Sequence, residues 1–194
     1  MRSSGILMHI TSLPGPYGVG TMGAQAFSFV DFLSAAGQTN WQLLPLTPTG
    51  FGDSPYQSCS AFAGNHYLID LDLLIREGLL LEEEVTSVTW CRSEEKVDFG
   101  LLYANRLKVL RRAFARFTAG EDYARFCLEN KDWLPDFALF MALKDRNGGK
   151  PWYEWPEDIS LRKPEALEKY AEEKDILLIS LQAADMARLG HRHM

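Results

Sequence analysis

The residues best equipped for chemistry in this sequence stand in one loop, Pro48 to Gln57, which reads PTGFGDSPYQ. Asp53, Ser54, Tyr56 and Gln57 supply hydrogen-bonding groups there, beside the flat ring of Phe51. That mixture suits a polyhydroxylated ligand. Sugar hydroxyls need fixed donors and acceptors, and the apolar face of a pyranose lies well on an aromatic plane. The alternative of equal weight is a rigid turn in which Asp53 and Ser54 bond their own backbone.

A second candidate is Gly18-Val19-Gly20-Thr21-Met22-Gly23, a literal G-x-G-x-x-G ahead of a helix, the pattern that cradles a dinucleotide pyrophosphate. Its spacing counts against it. The fingerprint needs its first glycine at the end of a strand, whereas Thr11 to Tyr17 intervene here. The next strand ends Leu44-Pro45-Leu46-Thr47, with no acid for a ribose hydroxyl. A third candidate is the aromatic group Trp133, Trp152, Tyr153 and Trp155, readable as sugar platforms but more simply as the core of a small helical subdomain.

Other chemistries lack their signatures: there is no H-E-x-x-H, C-x-x-C, G-x-S-x-G or Walker loop. A retaining glycoside-cleaving pair needs two carboxylates about 5–5.5 Å apart on separate elements. The acids here fall mainly on helix surfaces such as Glu82 to Glu84, so no nucleophile is identified.

The elements that must position the loop follow from periodicity. Gly5 to Ile10 is a short apolar run closed by Pro14, Gly15 and Pro16, which predicts a buried strand. Met22 to Ala36 carries apolar residues at helical spacing, and Gly37 supplies the left-handed residue that ends such a helix. Trp41 to Leu46 (WQLLPL) predicts a second strand, parallel to the first and covered on its faces. The loop leaves its carboxyl end, where α/β folds build their sites. Beyond Tyr67 helices dominate. Leu101 to Phe117 is expected to bury Leu107, Leu110, Phe114 and Phe117 while Arg106, Arg111, Arg112 and Arg116 face water. Further helices are expected over Glu121 to Glu129, Asp136 to Lys144 and Pro164 to Lys174, the last opened by a proline.

Composition sets the outer limits. The 194 residues, 46% hydrophobic and 24% charged, suit an ordinary globular domain, and a net charge of −6 argues against a nucleic-acid partner or an anionic membrane. Three widely spaced cysteines, Cys59, Cys91 and Cys127, suit a reducing compartment. With neither a signal peptide nor a membrane span visible, the expected location is the cytoplasm.

Longer motifs go further. SLPGPYGVG at Ser12 to Gly20, WQLLPLTPTGFGDSPYQS at Trp41 to Ser58 and SAFAGNHYLIDL at Ser60 to Leu71 resemble the opening of amylomaltases, the 4-α-glucanotransferase family; DFGLLYANR, FALFMALK and GGKPWYEWP continue the likeness to about residue 175. The resemblance implies a (β/α)₈ barrel. Residues 1–66 would form its first βαβ unit with a substrate-binding loop, and 67–175 a mainly helical insertion. It implies transfer of α-1,4-glucan segments between maltooligosaccharides or starch chains by a retaining mechanism, without a cofactor. It also implies glucan contacts from Ser54 and Tyr56, with Asp53 in the same loop, and a second glucan lying across Phe51 and Tyr103. A tyrosine common in the family is Phe51 here, which keeps the ring but not the hydroxyl. The family's Asp nucleophile and Glu acid/base are expected beyond residue 194. The loss of likeness over 176–194 reads as a truncation or frameshift, which leaves a non-catalytic glucan-binding fragment as the rival function.

Overall fold

The structure is a computed structural model that describes residues 3–50, 52–93 and 95–171. The atypical tail and Phe51 therefore lie outside the described residues. Contacts divide the chain into two compact units that part between Thr118 and Ala119.

The first unit opens with strand β1 (Gly5–Leu7), helix α1 (Ala24–Ala35) and strand β2 (Asn40–Gln42), with β1 and β2 parallel and Ile6 opposite Trp41. This is the expected strand–helix–strand order. Both strands are shorter than the apolar runs that predict them. After Met8, whose N–H still reaches the Gln42 carbonyl at 3.2 Å, the chain tightens into a 3₁₀ turn at Ile10–Ser12.

The strands are also not buried, in contrast to the expectation. Leu7 is 59% exposed, and Ile6, Phe27, Val30 and Phe32 are exposed too. A strand is covered only by what packs on it, and here α1 covers part of β2 through Phe29, whose ring meets Trp41 edge-on at 5.0 Å. The apolar surface left on β1 and α1 predicts self-association. Sedimentation velocity on the chain alone should show mass rising with concentration, reduced by Phe32→Lys; a monomer at every concentration would contradict this.

Helix α1 ends as its glycine dictates. Gly37 has φ +69°, its N–H bonds the Ser34 carbonyl at 3.0 Å, and the Gln38 N–H bonds Leu33 at 2.9 Å, a Schellman closure. A Cβ at Gly37 would meet nothing within 4 Å, so Gly37→Ala isolates the left-handed backbone cost. We expect about 1 kcal/mol of lost stability, read from the urea midpoint.

The core of this unit is built by α2 (Leu71–Arg76), α3 (Glu82–Thr86) and α4 (Phe99–Arg116), through Leu68, Leu71, Leu80, Val85, Leu102 and Val109. Asp70 and Asp98 cap α2 and α4 by accepting the Leu73 and Leu101 N–H groups at 3.0 Å. Arg116 grips Glu84 with two nitrogens at 2.7 and 2.9 Å, holding the Glu84 carboxyl down at about 2. The buried face of α4 is Leu102, Arg106, Val109, Leu110 and Ala113, one step round from the stripe expected. Arg106, expected in water, is fully buried.

The second unit holds α5 (Glu121–Glu129), α6 (Leu134–Arg146), α7 (Glu157–Ser160) and α8 (Pro164–Ala171). Its core joins Leu143, Trp155 and Ile159, with Leu139, Phe140, Leu167 and Tyr170 against it. The tryptophans divide: Trp155 is core and donates to the Lys150 carbonyl at 3.0 Å, whereas Trp152 and Tyr153 are exposed.

Candidate functional site

The loop after β2 is closed at its root by one bond, from the Asn65 N–H to the Leu46 carbonyl at 2.8 Å. Nearer the tip, Thr49 and Ser58 form an antiparallel bridge, and the Gly50 N–H bonds Gln57 at 2.8 Å. Between these pins the serines replace regular structure. Ser54 Oγ accepts the Tyr56 N–H at 3.3 Å, and Ser60 Oγ accepts those of Phe62 and Ala63 at 3.1 and 3.0 Å. A Gly- and Pro-rich segment thus acquires a fixed shape without becoming strand or helix.

The rigid-turn reading holds for the Ser54 side chain and not for the Asp53 carboxyl. Ser54 bonds the local backbone. Asp53 is held at φ +54°, a conformation uncommon for a residue with a side chain, while its N–H bonds the Gly50 carbonyl at 3.2 Å. The Asp53 carboxyl takes no hydrogen bond among the described residues. Burial raises its pKa above the ordinary aspartate value. Tyr56 projects outward, 72% exposed.

Tyr103 lies on α4 and is 74% exposed. A buried phenol, Tyr67, lies two residues past the Asn65 that closes the loop. Tyr67 was not singled out from the sequence. It is 4% exposed, and its ring lies 4.3 Å from His66 and 6.2 Å from Phe99. Burial first, then Asp53 and Tyr103, push its pKa up to about 12, so it is a neutral donor at ordinary pH. His66 is pushed down to about 4 by desolvation and by Arg106, and is a neutral ring there. The signal that points to Tyr67 was present in NHYL, where an Asn that caps a turn fixes the tyrosine after it. Asn65 Oδ1 accepts the Tyr67 N–H at 2.9 Å.

The glycine string takes no part in this site. A Cβ at Gly18 would come within 2.5 Å of the Trp90 carbonyl oxygen, one at Gly20 would collide with that of Ile10, and one at Gly23 with the Asp70 carboxylate. Asp70 in turn accepts the Thr21 hydroxyl at 2.5 Å, and the Met22 N–H bonds Leu68 at 2.9 Å. The motif is a packing seam whose glycines admit the chain's own backbone, and the dinucleotide reading falls with it. Among the described residues no cluster of metal-ligating side chains occurs, and no helix is long and apolar enough to cross a membrane.

With this geometry in hand, comparison with known proteins is decisive. A family model described as 4-alpha-glucanotransferase matches residues 8–182. The chain belongs to the 4-alpha-glucanotransferase family. The 4-alpha-glucanotransferase of Clostridium butyricum is 48% identical over 168 residues, covering 86% of this chain and 34% of that protein. That of Thermus thermophilus is 48% identical over 172 residues, covering 86% and 33%. The structure of the Streptococcus agalactiae amylomaltase in complex with acarbose superposes with a TM-score of 0.91 at 42% identity, over 97% of this chain and 39% of that one. The Corynebacterium glutamicum amylomaltase, at 16% identity and a TM-score of 0.65, shares the fold. The family resemblance read from the motifs is thus confirmed. The chain spans about one third of the length of the curated 4-alpha-glucanotransferases it matches.

Proposed function

We propose that this chain supplies the opening part of a 4-α-glucanotransferase, and that its contribution is to bind α-1,4-glucan rather than to cleave it. On this reading residues 1–66 are the first βαβ unit of a (β/α)₈ barrel and 67–175 a mainly helical insertion. Transfer of glucan segments between maltooligosaccharides or starch chains, with retention, rests on an Asp nucleophile and a Glu acid/base outside this sequence. The location is cytoplasmic, in keeping with Cys59, Cys91 and Cys127 being free thiols.

The observation that carries the reading is the loop tip. Within a family of glucan-acting enzymes, the exposed ring of Tyr56 stands beside the polar groups of Ser54 and Asp53, in a segment pinned at both Leu46–Asn65 and Gly50–Gln57. A preformed loop loses little conformational freedom when it binds, so a weakly hydrated ring face and a few fixed polar groups suffice. Phe51 and Tyr103 would offer their two rings to a second glucan chain. The non-catalytic fragment is the same site seen without the rest of the enzyme.

The test is an assay with two readouts. Incubated with maltotriose, the chain should form no longer oligosaccharides, yet it should be retarded in a native gel containing amylose. Product formation would place the reacting carboxylates within this chain. Absence of both product and retardation would remove the glucan reading.

A further inference from the structure

Arg106 poses a question that packing alone does not answer. It sits on the core face of α4, fully buried, where an apolar residue of similar size would avoid the cost of desolvating a guanidinium. Burial brings its pKa down to about 10, which still leaves it charged, and the Asp70 carboxylate opposes that shift. No salt bridge to Asp70 forms. Its guanidinium carbon stands 5.6 Å from the centre of the Trp90 ring, while Nε and Nη1 are buried without a hydrogen-bond partner.

What the guanidinium does hold is backbone. Nη2 donates to the Tyr67 carbonyl at 3.2 Å and to the Ile69 carbonyl. Those two acceptors flank Leu68, at the exit of the 3₁₀ turn His66–Leu68, where no regular ladder supplies donors. One nitrogen therefore fixes the peptide planes on either side of Leu68. The same short segment carries the Tyr67 ring and is tied to the root of the loop by Asn65, whose N–H bonds the Leu46 carbonyl at 2.8 Å and whose Oδ1 accepts the Tyr67 N–H at 2.9 Å. Tyr103 and Arg106 are three residues apart on α4, the one exposed and the other buried.

We propose that Arg106 is a positioning residue for the glucan site: it clamps the Tyr67 and Ile69 carbonyls and so holds the turn whose cap, Asn65, closes the root of the loop that bears Asp53, Ser54 and Tyr56. The proposal rests on the glucan reading for its ligand but not for its geometry. A purely structural arginine would stabilise the unit without influencing the loop.

The experiment uses the 194-residue chain with Arg106→Met, Arg106→Lys and Tyr67→Phe, each checked for folding by circular dichroism. Maltoheptaose affinity is measured by titration calorimetry, and the Tyr67 ¹³Cζ shift by NMR with and without Asp53→Asn. Arg106→Met, which removes both donations, should bind about tenfold more weakly, and Arg106→Lys should lie between it and the parent. In Arg106→Met the Tyr67 shift should no longer respond to Asp53→Asn. Tyr67→Phe keeps the ring and the clamped carbonyls, so it should fold even where the arginine variants do not, and it should bind as the parent does. Folded arginine variants with parental affinity, a loss of affinity in Tyr67→Phe, or a Tyr67 response to Asp53→Asn unchanged by Arg106→Met, would overturn the proposal. If the parent chain does not bind maltoheptaose, the glucan reading fails, and the Tyr67 response alone decides the clamp.

Discussion

Gly20→Ala should destabilise the first unit by about 3 kcal/mol, at the upper end of what overpacking costs. The added methyl would collide with the Ile10 carbonyl oxygen and come within 2.7 Å of the Leu13 oxygen and 3.0 Å of the Leu13 Cβ. Two of these atoms are backbone, so no rotamer change relieves the clash. The backbone itself must move, in a segment that is stitched at Gly20–Thr11 and Met22–Leu68. The measurement is the urea midpoint of Gly20→Ala beside Gly37→Ala, whose methyl meets open space. A larger loss at Gly37 would contradict the seam. The comparison also separates two readings of G-x-G-x-x-G, since a phosphate-binding loop opens its glycines to the ligand rather than to its own chain.

The second large effect belongs to Tyr56. Its ring is mostly in water, so Tyr56→Ala should change stability by no more than about 0.5 kcal/mol. Glucan binding should nevertheless fall by about one to two orders of magnitude, since the stacking plane for a pyranose is removed outright. Tyr103→Ala should cost less, because the exposed ring of Tyr56 remains. A Tyr56→Ala variant that loses stability and affinity together would show that the ring holds the loop instead of the ligand.

How much of this was legible in the sequence depends on the range of the interaction responsible. Features set within one turn were read correctly. Gly37 ends α1, Pro164 opens α8, and α5 has the bounds that its pattern implies. Strand length was not, because an apolar run such as GILMHI shows only that a segment avoids water. How far it pairs depends on the partner, and β2 offers three residues.

Arg106 was misread for a related reason. A residue scale sends every arginine to solvent, yet its burial is decided by two carbonyls at Tyr67 and Ile69, far off in sequence. The one-position shift in the face of α4 has the same origin. For the site, loop residues 53–57 were legible by composition and by motif. Tyr67 was signalled only by the cap in NHYL, because its burial and its tie through Asn65 to the loop root are settled in three dimensions.

The central claim is that this chain carries a formed α-1,4-glucan site around Tyr56. Its most direct test is a calorimetric titration of the 194-residue chain with maltoheptaose, run in parallel on Tyr56→Ala. The parent should bind saturably, and the variant should lose affinity at an unchanged unfolding midpoint. No binding by a folded parent, or equal binding by both, would contradict it.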